Sequence, residues 1–179
     1  KFRHPCAYGH MFINSIQTEI IILYISNHSF CYYQRTGLIC IHQYYRKFFT
    51  TIPGNNIGVR LEDTTSGKNL FYAPGLGELE PHVRRYMEAA DCILVDGTVW
   101  TDNELSREGI SDKRAQDMGH LNQSGKGGMI DILQSLNCPQ KIVIHINNTN
   151  PILDEESPEH AELVNAGIQI AYDGMDITL

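Results

Sequence analysis

Residues 141–151, KIVIHINNTNP, are the segment around which the other predicted elements are arranged. It opens with the apolar β-branched run 142–144, which predicts a short buried strand. His145 follows at once, before a polar cluster of asparagines and a threonine. Because open α/β sheets bind ligands beyond the carboxyl ends of their strands, His145 stands where a metal ligand or a catalytic base is expected. A histidine bonded to its neighbours at a strand end, followed by turn-forming asparagines, explains the pattern equally well.

Two further chemical groups precede this stretch. The apolar run 92–95 predicts another buried strand, and it ends in Asp96. A buried carboxylate is costly unless it is paired or binds a metal, although Asp-Gly is also a common turn. The loop 119–125, GHLNQSG, carries His120. Asp96, His120 and His145 could therefore converge into a metal site or an acid–base dyad.

The remaining elements alternate between strand and helix, which predicts a layered α/β fold. Residues 57–62 and 70–73 form a predicted hairpin, and residues 80–90 a helix. Between them lies the glycine-rich loop 74–77, PGLG, which has neither the GxGxxG nor the GK[ST] pattern of a phosphate site. After the strand predicted over 142–144, a capped helix is predicted from Ser157 to Gly167, followed by a strand over 168–172.

Composition excludes some classes of function. The net charge of −7 gives no indication of a nucleic-acid partner. Residues 1–50 have a net charge of +4, so residues 51–179 have a net charge of −11. The five cysteines form no CxxC pair, which favours reduced thiols and a cytoplasmic location. The apolar run 20–25 is too short to span a membrane. The change in charge and pattern near Thr51 predicts two segments, an unassigned leader over 1–50 and an ordered domain over 51–179.

The ordered segment resembles the family of coenzyme PQQ synthesis protein B, within the metallo-β-lactamase superfamily. The matching stretches occur in order and cover nearly all of residues 51–179; they are GNNIGVRLED, LFYAPGLG, DCILVDGT, MGHLNQSGKGGM, KIVIHINNTNPILDEESPEHAEL and IAYDGMDITL. The resemblance implies an αββα sandwich, of which this chain would be the truncated C-terminal half. It does not extend to residues 1–50.

The resemblance also implies roles for individual residues. In the superfamily's tRNA 3′-processing branch, a histidine ending a late strand is a metal ligand, and His145 stands in that place. Asp96 and His120 are similar to that branch's catalytic pair of an acid and a Gly-His-loop histidine.

The sequence departs from the superfamily pattern in two places. The stretch 73–76 has no acid where a standard dinuclear hydrolase carries its bridging aspartate, and the family's N-terminal Asp-His and cysteine zinc motifs are absent from the sequence.

The resemblance implies a protein of PQQ (pyrroloquinoline quinone) biosynthesis, with a peptide-derived PQQ precursor as its partner. The reaction implied is iron-dependent oxygenation of a tyrosine in that precursor, since two histidines and a carboxylate suit non-haem Fe(II). The alternatives are carriage of PQQ or its precursor to the periplasm, and a metal-dependent hydrolase. Fe(II) or Zn(II) is the expected cofactor. We expect this chain to bind it weakly and to be impaired as an oxygenase, because a single clear ligand, His145, is present.

Overall fold

The computed structural model describes residues 18–24, 30–34 and 57–179. These residues form one seven-stranded sheet, with the strand order β2-β1-β3-β4-β5-β6-β7. In chain order the strands are β1 Thr18–Tyr24, β2 Phe30–Gln34, β3 Ile57–Asp63, β4 Asn69–Ala73, β5 Cys92–Asp96, β6 Gln140–Ile144 and β7 Gln169–Ile170. The first four strands pair antiparallel, and β4 through β7 pair parallel.

Helices connect the parallel strands, as crossover connections between parallel neighbours require. They are α1 Pro81–Glu88, α2 Glu104–Arg107, α3 Met129–Gln134 and α4 Pro158–Asn165, with short 3-10 turns at Gln116–Met118 and Pro151–Leu153. The alternation of strand and helix predicted after residue 90 is confirmed. The polar segment 101–118, predicted as a loop with a short helix, contains α2 and the first 3-10 turn.

The predicted hairpin is confirmed in its position. β3 and β4 pair antiparallel with Val59 opposite Tyr72 and Leu61 opposite Leu70. The turn between them is closed by Asp63, whose side chain accepts hydrogen bonds from the Thr65 amide and the Ser66 hydroxyl. Such side-chain-to-backbone bonds are the reason aspartate favours turns, so local chemistry explains this element.

Both faces of the sheet are covered, and β5 shows this most clearly because all five of its residues are buried. Ile93 and Val95 belong to the larger core on the helix-covered face. Cys92 and Leu94 belong to a second core on the opposite face. Successive side chains of a strand point to opposite faces, so a continuous apolar run is what a strand covered on both sides needs.

The C-terminal helix follows its predicted caps. The Ser157 hydroxyl accepts a hydrogen bond from the His160 amide, Pro158 occupies the first turn, and Gly167 ends the helix at a φ of 71°. The strand after it is shorter than the predicted span 168–172. β7 has two residues, because the chain turns away after the Ala171 amide donates to the Val143 carbonyl.

Part of the leader belongs to the same sheet. β1 lies between β2 and β3, so the strand tendency of residues 20–24 is confirmed. How the aromatic side chains of residues 1–50 pack lies outside the described residues, and the domain boundary at residue 51 stays a prediction. Among the helices of the described ranges, none combines the length and the apolar character needed to cross a membrane.

Candidate metal centre

The site forms where β5 and β6 end side by side. The two strands are parallel neighbours, with Asp96 opposite Ile144, so His145 follows immediately beside Asp96. The loops beyond the strands are bonded to each other. The Gly97 amide donates to the Ile144 carbonyl over 2.6 Å, and the Asn147 amide donates to the Thr98 carbonyl over 3.0 Å. Sheet register thus brings together two groups that are 49 positions apart in the sequence.

Asp96 and His120 are in direct contact, as the sequence predicted. Oδ2 of Asp96 lies 2.6 Å from Nδ1 of His120, and their side chains are 0% and 6% exposed. His120 reaches this position from the loop after the 3-10 turn, where Gly119 adopts a φ of 80°. The contact is therefore a buried carboxylate–imidazole pair, the arrangement that fixes the orientation of a histidine ring.

The hydrogen-bonding capacity of Asp96 is fully used. Oδ2 also accepts from the Leu76 amide over 3.2 Å, and Oδ1 accepts from the amide and the hydroxyl of Thr98 over 3.0 and 2.5 Å. With four donors around it, the buried carboxylate is compensated without a metal. Asp96 consequently acts on its surroundings by orienting the groups that donate to it.

The glycine-rich loop 74–77 supports this pair. Besides the Leu76 amide bonded to Asp96, the Leu76 carbonyl accepts from the Leu121 amide over 2.8 Å. A Cβ on Gly77 would lie 3.0 Å from the backbone carbon of Gly119. Glycine at 77 therefore permits the close approach of the two loops that places His120 against Asp96.

His145 faces the pair from the neighbouring strand end. Its Nδ1 lies 2.8 Å from the Thr98 hydroxyl, and its ring stacks on that of His120 with a centroid separation of 5.3 Å. Burial lowers the pKa of His145, an effect opposed by the charge of Asp96 and reinforced by His120. Its side chain is 25% exposed, which makes it the most accessible of the three groups.

The backbone of His145 is also unusual. Its φ of 55° is the one positive φ of a non-glycine residue within the described ranges. The left-handed conformation is uncommon for a residue with a side chain, and such conformations concentrate at functional sites. In this conformation the chain turns sharply at the end of β6, and the imidazole lies beside Thr98 and His120.

The donor set fits a metal ion in part. One ligand atom from each of Asp96, His120 and His145 can be chosen so that all three lie within 4.8 Å of one another. Imidazole nitrogens suit zinc and iron, and a carboxylate completes the set common in non-haem iron sites. Because Asp96 is enclosed by four donors, the two histidines are the better placed ligands, and His145 is the more exposed of them.

Two further buried residues connect the loops around the site, and the sequence predicted this role for neither of them. Glu104 Oε2 accepts from the Trp100 amide over 2.6 Å, and Oε1 accepts from the Thr149 hydroxyl over 2.5 Å. The Asn150 side chain donates to the Gly97 carbonyl over 2.9 Å. Both residues thus connect the loop after β6 to the loop after β5. Asn150 belongs to the polar cluster that the sequence had singled out.

Comparison with known proteins places the chain in a family. The family model for a beta-lactamase superfamily domain matches residues 36–146, which is well over half of the chain. The chain belongs to the β-lactamase superfamily. The α/β, metallo-β-lactamase-like fold class predicted from the sequence is therefore confirmed. The match includes residues 36–50, to which the resemblance described above does not extend.

Within this superfamily the predicted likeness to coenzyme PQQ synthesis protein B is also confirmed. The chain is 63% identical over 126 residues to the protein of that name from Nitrosococcus oceani, and 60% identical over 126 residues to that from Methylococcus capsulatus. Each match covers 70% of this chain and 41% of the relative, so the chain spans well under half the length of these relatives.

A solved structure supports the same placement in the β-lactamase superfamily. Zinc-bound PqqB from Methylobacterium extorquens superposes with a TM-score of 0.66 at 35% identity, covering 69% of this chain and 44% of that one. That protein holds Zn²⁺, and the histidines described above supply the kind of donors that zinc takes.

Proposed function

We propose that this chain contributes a metal-binding half-site to PQQ biosynthesis, with His145 as metal ligand and Asp96–His120 as an adjacent catalytic pair. One observation carries the proposal: the register of β5 and β6 places His145 beside a buried, fully bonded carboxylate–imidazole pair. The relatives' shared name supports the pathway, and the zinc in the Methylobacterium extorquens protein supports a metal.

Each of the three residues has a distinct task in this proposal. His145, the most exposed, holds the metal through its ring. Asp96 orients His120 through the 2.6 Å contact, and His120 holds or moves a proton at the substrate. Bound Fe(II) would supply activation of O₂ for oxygenation of a tyrosine in the peptide-derived precursor. In this proposal the chain acts in the cytoplasm.

Metal binding by the described residues is expected to be weak. Catalytic zinc sites use three protein ligands, and non-haem iron sites use two histidines and a carboxylate. Here the carboxylate already accepts four hydrogen bonds, and His120 serves in the catalytic pair, which leaves His145 as the single clear ligand. We therefore expect binding far weaker than at a complete structural zinc site, where the binding free energy is roughly 10–16 kcal/mol.

Calorimetric titration of the purified chain with Zn²⁺, and anaerobically with Fe²⁺, tests the ligand assignment. The wild-type chain should bind one equivalent weakly, and His145→Ala should abolish that binding. His82→Ala is the matched control, because His82 lies on α1, pairs with Glu80 and is not one of the three clustered groups. Equal binding by His145→Ala and wild type would remove His145 from the site.

The reaction is tested separately with the iron-loaded chain. Oxygen consumption should depend on a peptide containing glutamate and tyrosine, and a peptide with phenylalanine in place of tyrosine is the control. We expect a low rate, because metal occupancy is low. Tight binding of PQQ itself, with no metal and no tyrosine-dependent oxygen consumption, would contradict the oxygenase and favour the carrier alternative.

A further inference from the structure

Thr98 lies at the centre of the site, and its hydroxyl touches every functional group there. Oγ1 lies 2.5 Å from Oδ1 of Asp96, 2.8 Å from Nδ1 of His145, 3.1 Å from Nδ1 of His120 and 3.0 Å from the His145 carbonyl. The side chain is buried, with 7% of its surface exposed. We propose that Thr98 is a positioning residue that fixes the tautomer of His145 by relaying a hydrogen bond from Asp96.

The argument rests on the single proton of a hydroxyl. A threonine Oγ1 donates one hydrogen bond and accepts up to two. Two oxygens 2.5 Å apart must have a proton between them, and this separation is typical of a hydroxyl bonded to a carboxylate. Asp96 receives two backbone amides as well, so it supplies the acceptor and Thr98 supplies the proton. The His145 carbonyl, 3.0 Å away, is the weaker competitor for that proton.

Once that proton is committed to Asp96, Thr98 can only accept from His145. The 2.8 Å contact must then be a hydrogen bond from Nδ1–H of His145 to Oγ1. The neutral ring with its proton on Nδ1 carries its lone pair on Nε2, and a metal is bound by that lone pair. The relay therefore selects the tautomer of His145 that can bind a metal through Nε2.

One carboxylate would in this way orient both imidazoles. Oδ2 of Asp96 accepts directly from His120 Nδ1, and Oδ1 acts on His145 through the Thr98 hydroxyl. The turn Asp96-Gly97-Thr98 holds the relay in place, because the Thr98 amide also donates to Oδ1. The opposite tautomer would direct the Thr98 proton to His145 and leave two acceptor oxygens in contact at 2.5 Å, which is repulsive.

This inference rests on the proposed role of His145 as a metal ligand, but its first test needs no metal. Long-range ¹H–¹⁵N correlation spectra of the metal-free chain, recorded above the usual histidine pKa of about 6.5, report which ring nitrogen carries the proton. Loss of signals in His145→Ala assigns the His145 ring. The wild-type ring should be protonated on Nδ1. A His145 ring protonated on Nε2 in the wild-type chain would overturn the proposal without any Thr98 variant.

Two variants then separate the hydroxyl from the shape of the side chain. Thr98→Ser keeps the hydroxyl and should keep the Nδ1–H form, with zinc affinity within about threefold of wild type. Thr98→Val keeps the shape and removes the hydroxyl. It should shift His145 towards the Nε2–H form and weaken zinc about 10- to 100-fold, the usual effect of losing a partner behind a metal-bound histidine. A merely structural role would leave the tautomer unchanged in a folded valine variant, and that result would also overturn the proposal.

The two proposals fail in different ways. If the wild-type chain binds no zinc while the tautomer still responds to Thr98→Val, the ligand role of His145 is wrong and the relay stands. If zinc binding depends on His145 but the tautomer of His145 is the same in wild type and in Thr98→Val, the relay is wrong and the ligand role stands. Circular dichroism and urea unfolding establish that each variant is folded before its spectrum is interpreted.

Discussion

Oδ2 of Asp96 lies 2.6 Å from Nδ1 of His120, and both side chains are almost completely withdrawn from water. His120 lies in a loop, 24 positions later in the chain, so this contact joins that loop to the end of β5. A buried carboxylate is tolerated in a fold when hydrogen-bond donors occupy all of its acceptor positions. Asp96 meets that condition with four donors from three residues.

The first prediction concerns the charge of Asp96. Asp96→Asn should lower the free energy of unfolding by about 2–4 kcal/mol, because the new NH₂ group would face donors and leave buried groups unpaired. Urea unfolding measures the loss. Asp112→Asn, at an exposed carboxylate, is the control and should change stability by less than about 0.5 kcal/mol. A similar small change for Asp96→Asn would show that the pair contributes little to the fold.

The second prediction concerns the space beside Gly97. A Cβ at this position would lie 2.9 Å from the Ile144 carbonyl oxygen and 3.0 Å from the buried Gln123 amide nitrogen. Gly97→Ala should therefore push the ends of β5 and β6 apart, lowering the free energy of unfolding by about 1–3 kcal/mol and weakening zinc binding.

Gly109→Ala is the control for this substitution. Nothing lies within 4 Å of the added Cβ, but the positive φ of 67° should itself cost about 1 kcal/mol. Zinc binding should be unchanged in that variant. If both alanine variants bind zinc as the wild-type chain does, the strand-end separation does not control the site.

Most of this framework follows from the sequence, and the residues that do not follow share a physical cause. The β3–β4 hairpin, β5, β6 and the capped helix α4 are local: periodicity, turn aspartates, a capping serine and a terminal glycine specify them. The pairing of Asp96 with His120 follows from the resemblance, together with the need of a buried acid for a partner. Thr98 and Glu104 were not identified, since their partners come from sheet register and loop packing that no local pattern records. The length of β7 was overestimated for the same reason.

The third prediction concerns Glu104. Glu104→Gln should cost about 1–3 kcal/mol of stability, because the side-chain NH₂ would face either the Trp100 amide or the Thr149 hydroxyl in place of an acceptor. Hydrogen exchange at the Trp100 amide should become faster, and the fluorescence of Trp100, the single tryptophan of the chain, should change. Glu108→Gln, on an exposed side chain nearby, should leave both unchanged. Unaltered exchange in Glu104→Gln would mean that Glu104 does not fasten the two loops.

The fourth prediction concerns Cys92 in the second core. Burial raises the pKa of its thiol from 9.0 to about 12, with Cys138 and Asp91 adding to the shift. The folded state therefore favours the neutral thiol. Its contribution to stability is complete below pH 9.0, the unfolded pKa, and is lost as the pH rises from there towards about 12. Urea unfolding at a series of pH values should show a smaller alkaline loss of stability in Cys92→Ala than in wild type. An equal alkaline loss of stability in wild type and in Cys92→Ala would contradict the raised pKa of the Cys92 thiol.

The last prediction separates the backbone of His145 from its side chain. At a φ of 55° a residue with a Cβ is strained, whereas glycine adopts this conformation readily. His145→Gly and His145→Ala both remove the imidazole, so both should lose zinc binding and the contact with Thr98. The glycine variant should nevertheless be more stable than the alanine variant by about 1 kcal/mol, because only alanine retains the left-handed strain. Urea unfolding of the two variants measures the difference directly. If the alanine variant is as stable as the glycine variant, the end of β6 relaxes when the imidazole is removed, and the side-chain contacts of His145 are what hold its backbone in this conformation.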